Sequence, residues 1–512
     1  MPKGFLGIDA GTQGLAVVLV DEQLKLVATG DGHYDMVPGL DEGCYEQHPA
    51  DWVAALETAM GDLRGKLKSQ GDGELEILAI GISGQMHGEV LADAEGNSLG
   101  PARLWCDARN ADEGDELTEQ LGVKMPKRIT AARWLWTTRN RPELAKKTAH
   151  ITTPAGWLAY CLTGEWNLGV GDASGMFPID AASLNYDVGK LQQVDGITGD
   201  KFPALSKLLP SVRKAGEDGG SLNGEGAKLL GLPEGIPVAP AEGDQPAALA
   251  GSLIAEAGMV SVSFGTSVCA NAVGDKPFKG VSQAVDHFCA VDGKPINMVF
   301  LRNGTTFMNT VVQMFVDSSG KDFGELMQQV LTAEPDCGGV LAIPFMDDEP
   351  GLGVEQGGNA SLVGINQNNA TAGNCIRAAM TATMMNLKSG SGILDEQGYP
   401  RTEVILTGGL TRTPELGQVL ADIMQTPVSL PAGSDEGTAL GAALLAGFRY
   451  QRITKPDVET TWTSFVQDMR RTGFAEVARF ESDSSTVKVY DAWRSNYSKL
   501  VHPESQQTAA TA

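Results

Sequence analysis

The chain has 512 residues, more than a single hydrophobic core usually serves, so its length predicts two domains. Its composition, with 42% hydrophobic and 20% charged residues, is typical of a globular protein and excludes a disordered one. The net charge of −25 would be repelled by nucleic-acid phosphates and anionic membranes, so we expect neither as a partner.

The seven cysteines and the apolar runs indicate the compartment. The cysteine count is odd and no CxxC pair occurs, which favours a reduced cytoplasmic protein over a disulfide framework or a zinc site. The sequence begins MPKGFLGIDAG, without the apolar core of a signal peptide. No apolar run approaches the ~18 residues that would span a membrane. We therefore expect a cytoplasmic location.

The first predicted elements are a β-meander, a helix and a buried strand. The runs FLGI, LAVVLV and LKLVATG within residues 5–30 are apolar and β-branched and are separated by turn-forming residues. Pro49 suits the first turn of a helix, and the apolar residues that follow recur at helical spacing: Trp52, Val53, Leu56, Met60 and Leu63. The continuous apolar run LEILAIGIS at 75–83 is typical of a strand inside a sheet. Together these elements predict an α/β unit.

A second, similar set of elements begins near residue 258. The runs GMVSVSF and CANAVG predict a hairpin, and EVILTGG at 403–409 predicts a strand followed by a glycine loop. A helix is expected after it, with Thr413 as N-cap, Pro414 at its first position and one apolar face: Leu416, Val419, Leu420, Ile423 and Met424. The repeat predicts one domain over 1–250, a second over 251–450 and a C-terminal extension over 451–512.

Each half opens on a glycine-threonine turn between two strands. In DAGTQG, at residues 9–14, the backbone N–H groups and the Thr12 hydroxyl could bind phosphate oxygens. Asp9 would repel a phosphate, so its position suggests Mg²⁺ between the two. An ordinary hairpin turn is an equal alternative for this segment alone. The matching FGTSV at 264–268 favours function, because two facing hairpins could clamp one polyphosphate.

Asp244, in GDQPAALAG, is predicted to lie at the start of a helix, because Pro246 suits an early helical position. Helix capping alone would explain an aspartate there. The functional alternative is a general base. A helix N-terminus should lower the pKa of this carboxyl and make it a weak base, which phosphoryl transfer tolerates because its transition state is loose.

Two further motifs follow buried strands, where α/β sheets place their ligands. In GISGQMHG, residues Gln85, Met86 and His87 come directly after such a strand, although core packing would also explain them. In TGGLTR, Gly408 and Gly409 would let a flat ring lie against the backbone, although a plain loop is the simpler explanation. The absence of GxxxxGK[ST], HRD, DFG, GxSxG and HExxH excludes P-loop and protein kinases, serine hydrolases and zincins.

The ordered set DAGTQG, GQMHG, LWCDAR, GDQPAALAG, SFGTSV, TGGLTR and TALGAALLAG resembles the FGGY carbohydrate kinases of the actin-like ATPase superfamily, over residues 4–450. The resemblance implies an α/β fold of two actin-like (ribonuclease H-like) lobes with a central cleft, and a reaction between MgATP and a small sugar. Within the family, GQMHG most resembles the members that phosphorylate D-xylulose at O5. The sequence leaves open whether the protein forms a homodimer.

The resemblance also implies roles for individual residues. Asp9 matches the residue that holds Mg²⁺ through water, and Asp244 matches the general base. The first phosphate turn, the second phosphate turn and the adenosine loop are matched by Gly11, Thr12 and Gln13, by Gly265, Thr266 and Ser267, and by Gly408 and Gly409. The sugar contacts are matched by Met86, His87, Trp105 and Asp107, with Asp244 and Gln245 beside them.

Two departures from the family pattern concern the substrate. Gln245 stands where the bacterial D-xylulose members usually have Asn, and GDQ with AAL also resembles glycerol kinase. FMDDEPGLGVEQGG, at 345–358, lacks the arginine of the family's Gly-Glu-Arg-Pro segment. A kinase for another polyol (ribulose, glycerol or a deoxyketose) and a non-catalytic sugar-sensing relative are the alternatives. A sensor needs no carboxylate at Asp244, so that residue favours the enzyme.

Overall fold

The computed structural model describes residues 3–71, 76–282, 284–431, 437–471 and 476–501. The strands of the first half are β1 (Lys3–Ala10), β2 (Gly14–Asp21), β3 (Leu26–His33), β4 (Glu46–Gln47), β5 (Glu76–Gly84), β6 (Val90–Ala92), β7 (Ala102–Arg103), β8 (His150–Thr152), β9 (Asn167–Gly169), β10 (Ile179–Asp180), β11 (Asn185–Tyr186), β12 (Ser211–Arg213) and β13 (Glu242–Gly243). Its helices are α1 (Pro49–Ser69), α2 (Ala111–Leu121), α3 (Thr130–Asn140), α4 (Pro142–Lys147), α5 (Pro154–Thr163), α6 (Val170–Met176), α7 (Val188–Thr198), α8 (Leu205–Leu208), α9 (Gly224–Leu230) and α10 (Asp244–Gly251).

The second half continues both series. Its strands are β14 (Met259–Phe264), β15 (Val268–Val273), β16 (Val285–Cys289), β17 (Pro295–Leu301), β18 (Leu341–Ile343), β19 (Ser361–Val363), β20 (Glu403–Gly408), β21 (Val428–Pro431) and β22 (Glu476–Phe480). Its helices are α11 (Thr306–Ser319), α12 (Phe323–Thr332), α13 (Ala372–Gly390), α14 (Gly392–Glu396), α15 (Leu416–Met424), α16 (Gly437–Thr454), α17 (Trp462–Arg471) and α18 (Ser484–Val501). Short 3₁₀ turns lie at Cys337–Gly339, Pro350–Leu352 and Gly409–Arg412.

Two sheets repeat one arrangement of strands. In the first, of order β13-β5-β1-β2-β3, β1 pairs antiparallel with β2 and parallel with β5. In the second, of order β16-β17-β15-β14-β20-β21-β22, β14 pairs antiparallel with β15 and parallel with β20. Each sheet has its own buried apolar cluster. The predicted α/β class with two lobes is confirmed, and so are both hairpins and the helix that begins at Pro49.

The helix expected after TGGLTR begins later than predicted. Gly409–Arg412 forms a 3₁₀ turn, and α15 starts at Leu416 with Glu415 as its N-cap, so the assignment of Thr413 as N-cap and Pro414 as first residue was wrong. The N–H groups of Leu416, Gly417 and Gln418 bond to the carbonyl oxygens three residues earlier, so a tighter turn over residues 413–415 precedes the α-helix. The predicted apolar face is right, because its residues are all buried: Leu416, Val419, Leu420, Ile423 and Met424.

Helix α16 joins the two halves. Although it comes late in the chain, it packs on β1 and β5 of the first sheet and on α10. A Cβ on Gly7 would lie 2.0 Å from the carbonyl oxygen of Ala439, and one on Gly81 would lie 1.8 Å from that of Ala442. The small residues of TALGAALLAG therefore let the helix backbone touch the sheet. Among the described residues, no helix combines the length and the apolar character needed to cross a membrane.

Candidate active site

Side chains from distant parts of the sequence hold the first glycine-threonine turn. Tyr34 donates its hydroxyl to the carbonyl oxygens of Gly11 and Gly14, at 2.5 and 3.0 Å. Gln47 donates through Nε2 to the Thr12 carbonyl oxygen at 2.8 Å, and the fully buried Gln85 lies 3.4 Å from that of Gly11. The carbonyl oxygens of Gly11, Thr12 and Gly14 thus all accept hydrogen bonds from side chains outside the turn. Sequence reasoning missed Tyr34 and Gln47 as supports of this turn and did not assign this role to Gln85.

Asp9 ends β1 beside this turn. Ser83, on the neighbouring strand β5, donates its hydroxyl to Asp9 Oδ1 at 2.9 Å. Oδ2 of Asp9 lies on the side of Gly11, 3.9 Å from where a Cβ of that glycine would be. Mg²⁺ in phosphoryl-transfer sites is usually bound by one or two carboxylates together with phosphate oxygens and water. Asp9 fits this donor set; among the described residues, no three His, Cys, Asp or Glu side chains form a metal-binding group.

Backbone contacts hold the second turn. The N–H groups of Gly304 and Thr305 each donate at 2.8 Å, to the carbonyl oxygens of Thr266 and Gly265 respectively. The Thr305 hydroxyl adds a bond to Gly265 at 2.9 Å. A Cβ on Gly304 would lie 2.4 Å from the Gly265 carbonyl oxygen, so only glycine fits here. Gly265 and Thr266 are exposed and Ser267 is half-buried.

A cavity of about 400 Å³ brings the second turn together with the predicted adenosine loop. Gly265 and Thr266 line one side of it, and Gly409 lines the other. Gly408, at the start of the loop, has a φ of 78°, a left-handed conformation that glycine adopts without strain. The apolar part of the wall is formed by Phe264, Met308, Phe323, Met327, Leu410 and Leu416. The cavity is large enough for the base and ribose of a nucleotide.

The structure places Asp244 at the first position of α10, with Gly243 as N-cap. Its Oδ1 accepts the Gln245 N–H at 2.8 Å. The expectation of a lowered pKa was wrong: burial, with a further contribution from the charge of Asp9, raises the pKa of Asp244 to about 7. The helix N-terminus and the backbone hydrogen bonds only oppose this shift in part. A carboxyl with this pKa is well suited to accept a proton near neutral pH.

Gln245 reaches across to the second sheet. Asn271, a buried residue of β15, donates through Nδ2 to Gln245 Oε1 at 3.0 Å. The amide oxygen of Gln245 is therefore occupied, and its NH₂ group is the part left for a ligand. Gln245, which stands where the bacterial D-xylulose members of the FGGY kinases usually have Asn, is thus held by Asn271 from the second half of the chain.

Met86 and His87 follow β5 as predicted. Met86 is buried against Gly243 and Gly175; a Cβ on Gly243 would lie 2.2 Å from Met86 Cγ. His87 has a left-handed φ of 66°, and its Nδ1 lies 2.9 Å from the Gly175 carbonyl oxygen. Burial and the charge of Arg128 lower the pKa of His87 to about 3. The ring is therefore neutral, with Nδ1 donating its hydrogen to Gly175 and Nε2 left as an acceptor.

Trp105 and Asp107 lie in one turn but differ in exposure and in hydrogen bonding. The Trp105 ring is 43% exposed, and its indole N–H donates to Thr12 Oγ1 at 3.0 Å. Asp107 is fully buried and accepts hydrogen bonds from Arg109 and from the Tyr45 N–H. Burial acts to raise the pKa of Asp107, but these bonds outweigh it and lower the pKa. Both oxygens of Asp107 are used within the protein.

Two further carboxyls, which the sequence did not single out, lie behind Asp244. Asp172 and Glu242 are almost completely buried. Asp172 Oδ2 lies 2.5 Å from the Thr153 hydroxyl, and its Oδ1 has no hydrogen-bond partner among the described residues. Burial, with the charge of Asp244 adding to it, raises the pKa of Asp172 to about 8, and burial also raises that of Glu242. In the sequence, the one feature that could have pointed to these two carboxyls is that each lies beside glycines near the start of a helix.

An arginine from elsewhere contacts the segment that lacks the family's arginine. Arg302, directly after β17, pairs with Asp348 at 2.6 Å. Asn303 donates its backbone N–H to Glu349 Oε2 at 2.9 Å. The segment is thereby tied to the residues just before Gly304, which support the second turn.

Comparisons with known proteins assign the family. Residues 5–251 match the N-terminal domain, and residues 260–450 the C-terminal domain, of the FGGY family of carbohydrate kinases. The chain belongs to this family and is a sugar kinase. Xylulose kinase of Haemophilus influenzae is 28% identical over 458 residues, covering 86% of this chain and 90% of that protein. Xylulose kinase of Lactococcus lactis is 26% identical over 509 residues, covering 96% of each.

Solved structures share the fold. Xylulose kinase of Rhodospirillum rubrum superposes with a TM-score of 0.80 at 20% identity, over 97% of this chain and 99% of that one. Gluconate kinase of Lactobacillus acidophilus gives a TM-score of 0.80 at 19% identity, over 98% of both chains. Glycerol kinase of Plasmodium falciparum, solved with ADP, gives a TM-score of 0.78 at 22% identity, over 97% of both chains. One fold thus serves proteins with three different named substrates.

Proposed function

We propose that this sugar kinase transfers the γ-phosphoryl group of ATP to O5 of D-xylulose in the cytoplasm, with Asp244 as general base. The observation that carries the proposal is the position of the Asp244 carboxyl at the start of α10. It lies within reach of the charge of Asp9, the Mg²⁺ candidate, and of the backbone of Met86, a predicted sugar contact. In the reaction, O5 forms a bond to the γ-phosphorus, the bridging oxygen leaves with ADP, and the hydroxyl proton passes to Asp244.

The nucleotide would lie across the two turns. Its base and ribose would occupy the cavity beside Gly408 and Gly409. Its phosphates would be bound by Gly11, Thr12 and Gln13 on one side and by Gly265, Thr266 and Ser267 on the other. Asp9 would hold Mg²⁺, which neutralises phosphate charge when bound. Without the metal, the carboxylate would repel the phosphates.

The sugar would lie on the Asp244 side of the cleft. His87 Nε2 would accept a hydrogen bond from a hydroxyl, the Gln245 NH₂ would donate one, and the Met86 and Trp105 side chains would supply apolar wall. A five-carbon chain can reach both Asp244 and His87, whereas glycerol is too short to use both and would leave polar groups unpaired. The xylulose kinases among the relatives support the same substrate.

An ADP-release assay over D-xylulose, D- and L-ribulose, D-gluconate and glycerol tests the proposal. We expect the highest kcat/KM for D-xylulose, with the ribuloses next and glycerol far behind. The Asp244→Asn variant supplies the background rate for each compound. Equal turnover of glycerol and D-xylulose, or a clear preference for gluconate, would contradict the pentulose substrate and leave the kinase activity standing.

A further inference from the structure

The Thr12 hydroxyl connects the first glycine-threonine turn to Trp105, one of the predicted sugar contacts. The indole N–H of Trp105 can only donate, so the hydrogen bond of 3.0 Å between them occupies a lone pair of Thr12 Oγ1. The hydroxyl hydrogen of Thr12 is thereby left for another acceptor. The side chains of Gln85 and Gln47 determine which acceptor this hydrogen can reach.

The amide of Gln85 is oriented by a chain of hydrogen bonds. The Trp52 indole N–H donates to Gln47 Oε1 at 3.0 Å, which fixes that atom as the oxygen. Gln85 Nε2 donates to the same Gln47 oxygen at 2.9 Å. It is therefore the oxygen of Gln85 that faces Thr12, at 3.5 Å. That is the outer limit of a hydrogen bond, so the Thr12 hydrogen has only a weak acceptor within the protein.

Hydrogen bonds hold the backbone on both sides of this contact. Strand β4 pairs with β7, and Gln47 of β4 holds the Thr12 carbonyl oxygen. The turn that carries Trp105 begins directly after β7, and the buried Arg133 donates to the Leu104 carbonyl oxygen there. The Trp105 ring itself is 43% exposed, so a ligand can reach it. A ligand that packs against the ring would restrict the ring and, through it, Thr12.

We propose that Trp105 is a positioning residue that directs the Thr12 hydroxyl hydrogen towards the γ-phosphate and strengthens nucleotide binding when the sugar covers its ring. The inference rests on the proposed function, because it needs ATP at the turn and a sugar beside the ring. A phosphate oxygen is charged and would accept the Thr12 hydrogen more strongly than the distant Gln85 oxygen does. Trp105 then contributes to phosphoryl transfer as well as to the wall of the sugar site.

Trp105→Phe tests the inference, because it keeps an aromatic ring and removes only the N–H. We expect kcat to fall about three- to tenfold, the effect of one ordinary hydrogen bond, while the affinity for the ketose measured without nucleotide changes less than twofold. D-xylulose should tighten binding of the non-hydrolysable analogue AMP-PNP in the wild type and should do so less in the variant. Trp157→Phe is the matched control, since the buried Trp157 indole N–H has no hydrogen-bond partner among the described residues.

A double-mutant cycle separates positioning from simple contact. In a Thr12→Val background the hydroxyl is gone, so Trp105→Phe should lower kcat no further. An undiminished effect in that background, or a raised sugar KM with unchanged kcat, would overturn the inference. A wild type that phosphorylates no sugar would remove the proposed function and this inference with it. An active wild type with an unaltered Trp105→Phe variant would remove the inference alone.

Discussion

The two sides of the cleft hold their glycine-threonine turns by different means. The first turn is supported by side chains from separate elements, Tyr34, Gln47, Gln85 and Trp105. The second turn is supported mainly by the backbone of Gly304 and Thr305. Side chains can respond to a ligand, whereas a backbone ladder behaves as a fixed scaffold. This difference fits the proposed division, in which the first side contacts the sugar and carries out the chemistry and the second side holds the nucleotide.

The strongest test of this division is Asp244→Asn. General-base catalysis contributes about 10²–10⁴-fold, so kcat for the sugar should fall by that factor. AMP-PNP affinity without sugar should change little, because the cavity proposed for the base and ribose is lined by residues of the second half. Asn keeps an oxygen that can accept the Gln245 N–H, so folding should survive.

The thermal midpoint of Asp244→Asn distinguishes catalysis from capping. It should equal or exceed that of the wild type, because the variant removes a carboxyl that burial makes costly to ionise. Asp115→Asn, an exposed carboxylate on α2, is the matched control. A midpoint that collapses together with activity would favour a mere helix-start role for Asp244.

The second side is tested by Gly304→Ala. The added Cβ would meet backbone oxygens of the second turn at 2.4 and 2.6 Å, so the turn must shift. Overpacking of this kind costs about 1–3 kcal/mol, and we expect the KM for ATP to rise about 5- to 150-fold, with a much smaller change in the sugar KM. Gly65→Ala in α1 meets nothing within 4 Å and serves as control. An equal rise in both KM values would contradict the separation of the two sides.

The pH dependence should also differ between the sides. Because the pKa of Asp244 is raised to about 7, kcat/KM for the sugar should fall about tenfold for each pH unit below 7 as the base becomes protonated. AMP-PNP binding without sugar should stay nearly constant over that range. A flat kcat/KM profile between pH 5 and 7 would contradict the raised pKa.

The same pKa shift affects stability with a definite sign. Folded Asp244 binds its proton more tightly than the unfolded chain, where the pKa is about 4. Its contribution to the free energy of unfolding is therefore present at low pH and is lost as the pH rises from about 4 to about 7. Asp244→Asn should remove that part of the pH dependence in denaturant titrations.

Apart from the family and the two-lobed α/β fold, which follow from the ordered set of motifs, the features that the sequence predicted correctly are local ones. Both hairpins follow from apolar runs interrupted by Gly-Thr, and the face of α15 follows from helical spacing. The pKa of Asp244 was predicted from its own helix alone, whereas burial and the charge of Asp9 decide it. Those two causes come from the packing of the chain, which the helix-start pattern does not contain.

The supports of the first turn had no local signal. Tyr34 contacts a turn 23 residues away and Gln85 one 74 residues away, each through a single side chain. Gly304 could have been found, because NGTT at 303–306 repeats the Gly-Thr pair of both turns. The start of α15 was placed too early because residues 413–415 form a turn with i→i+3 hydrogen bonds, which residue spacing cannot distinguish from the first turn of an α-helix.

The smallest effect expected on the first side is that of His87→Asn. Asparagine tolerates the left-handed φ of 66° that His87 adopts, so the substitution tests the ring and not the backbone. Loss of the Nε2 acceptor should raise the KM for the ketose about three- to tenfold, with a smaller change in kcat, because this bond would be made equally in the ground and transition states. Since the pKa of His87 is lowered to about 3, this contribution should not titrate between pH 5 and 8. AMP-PNP affinity without sugar is the internal control and should be unchanged. An unaltered sugar KM would mean that His87 serves only its bond to Gly175, and the sugar site would then be confined to the surroundings of Asp244, Gln245 and Trp105.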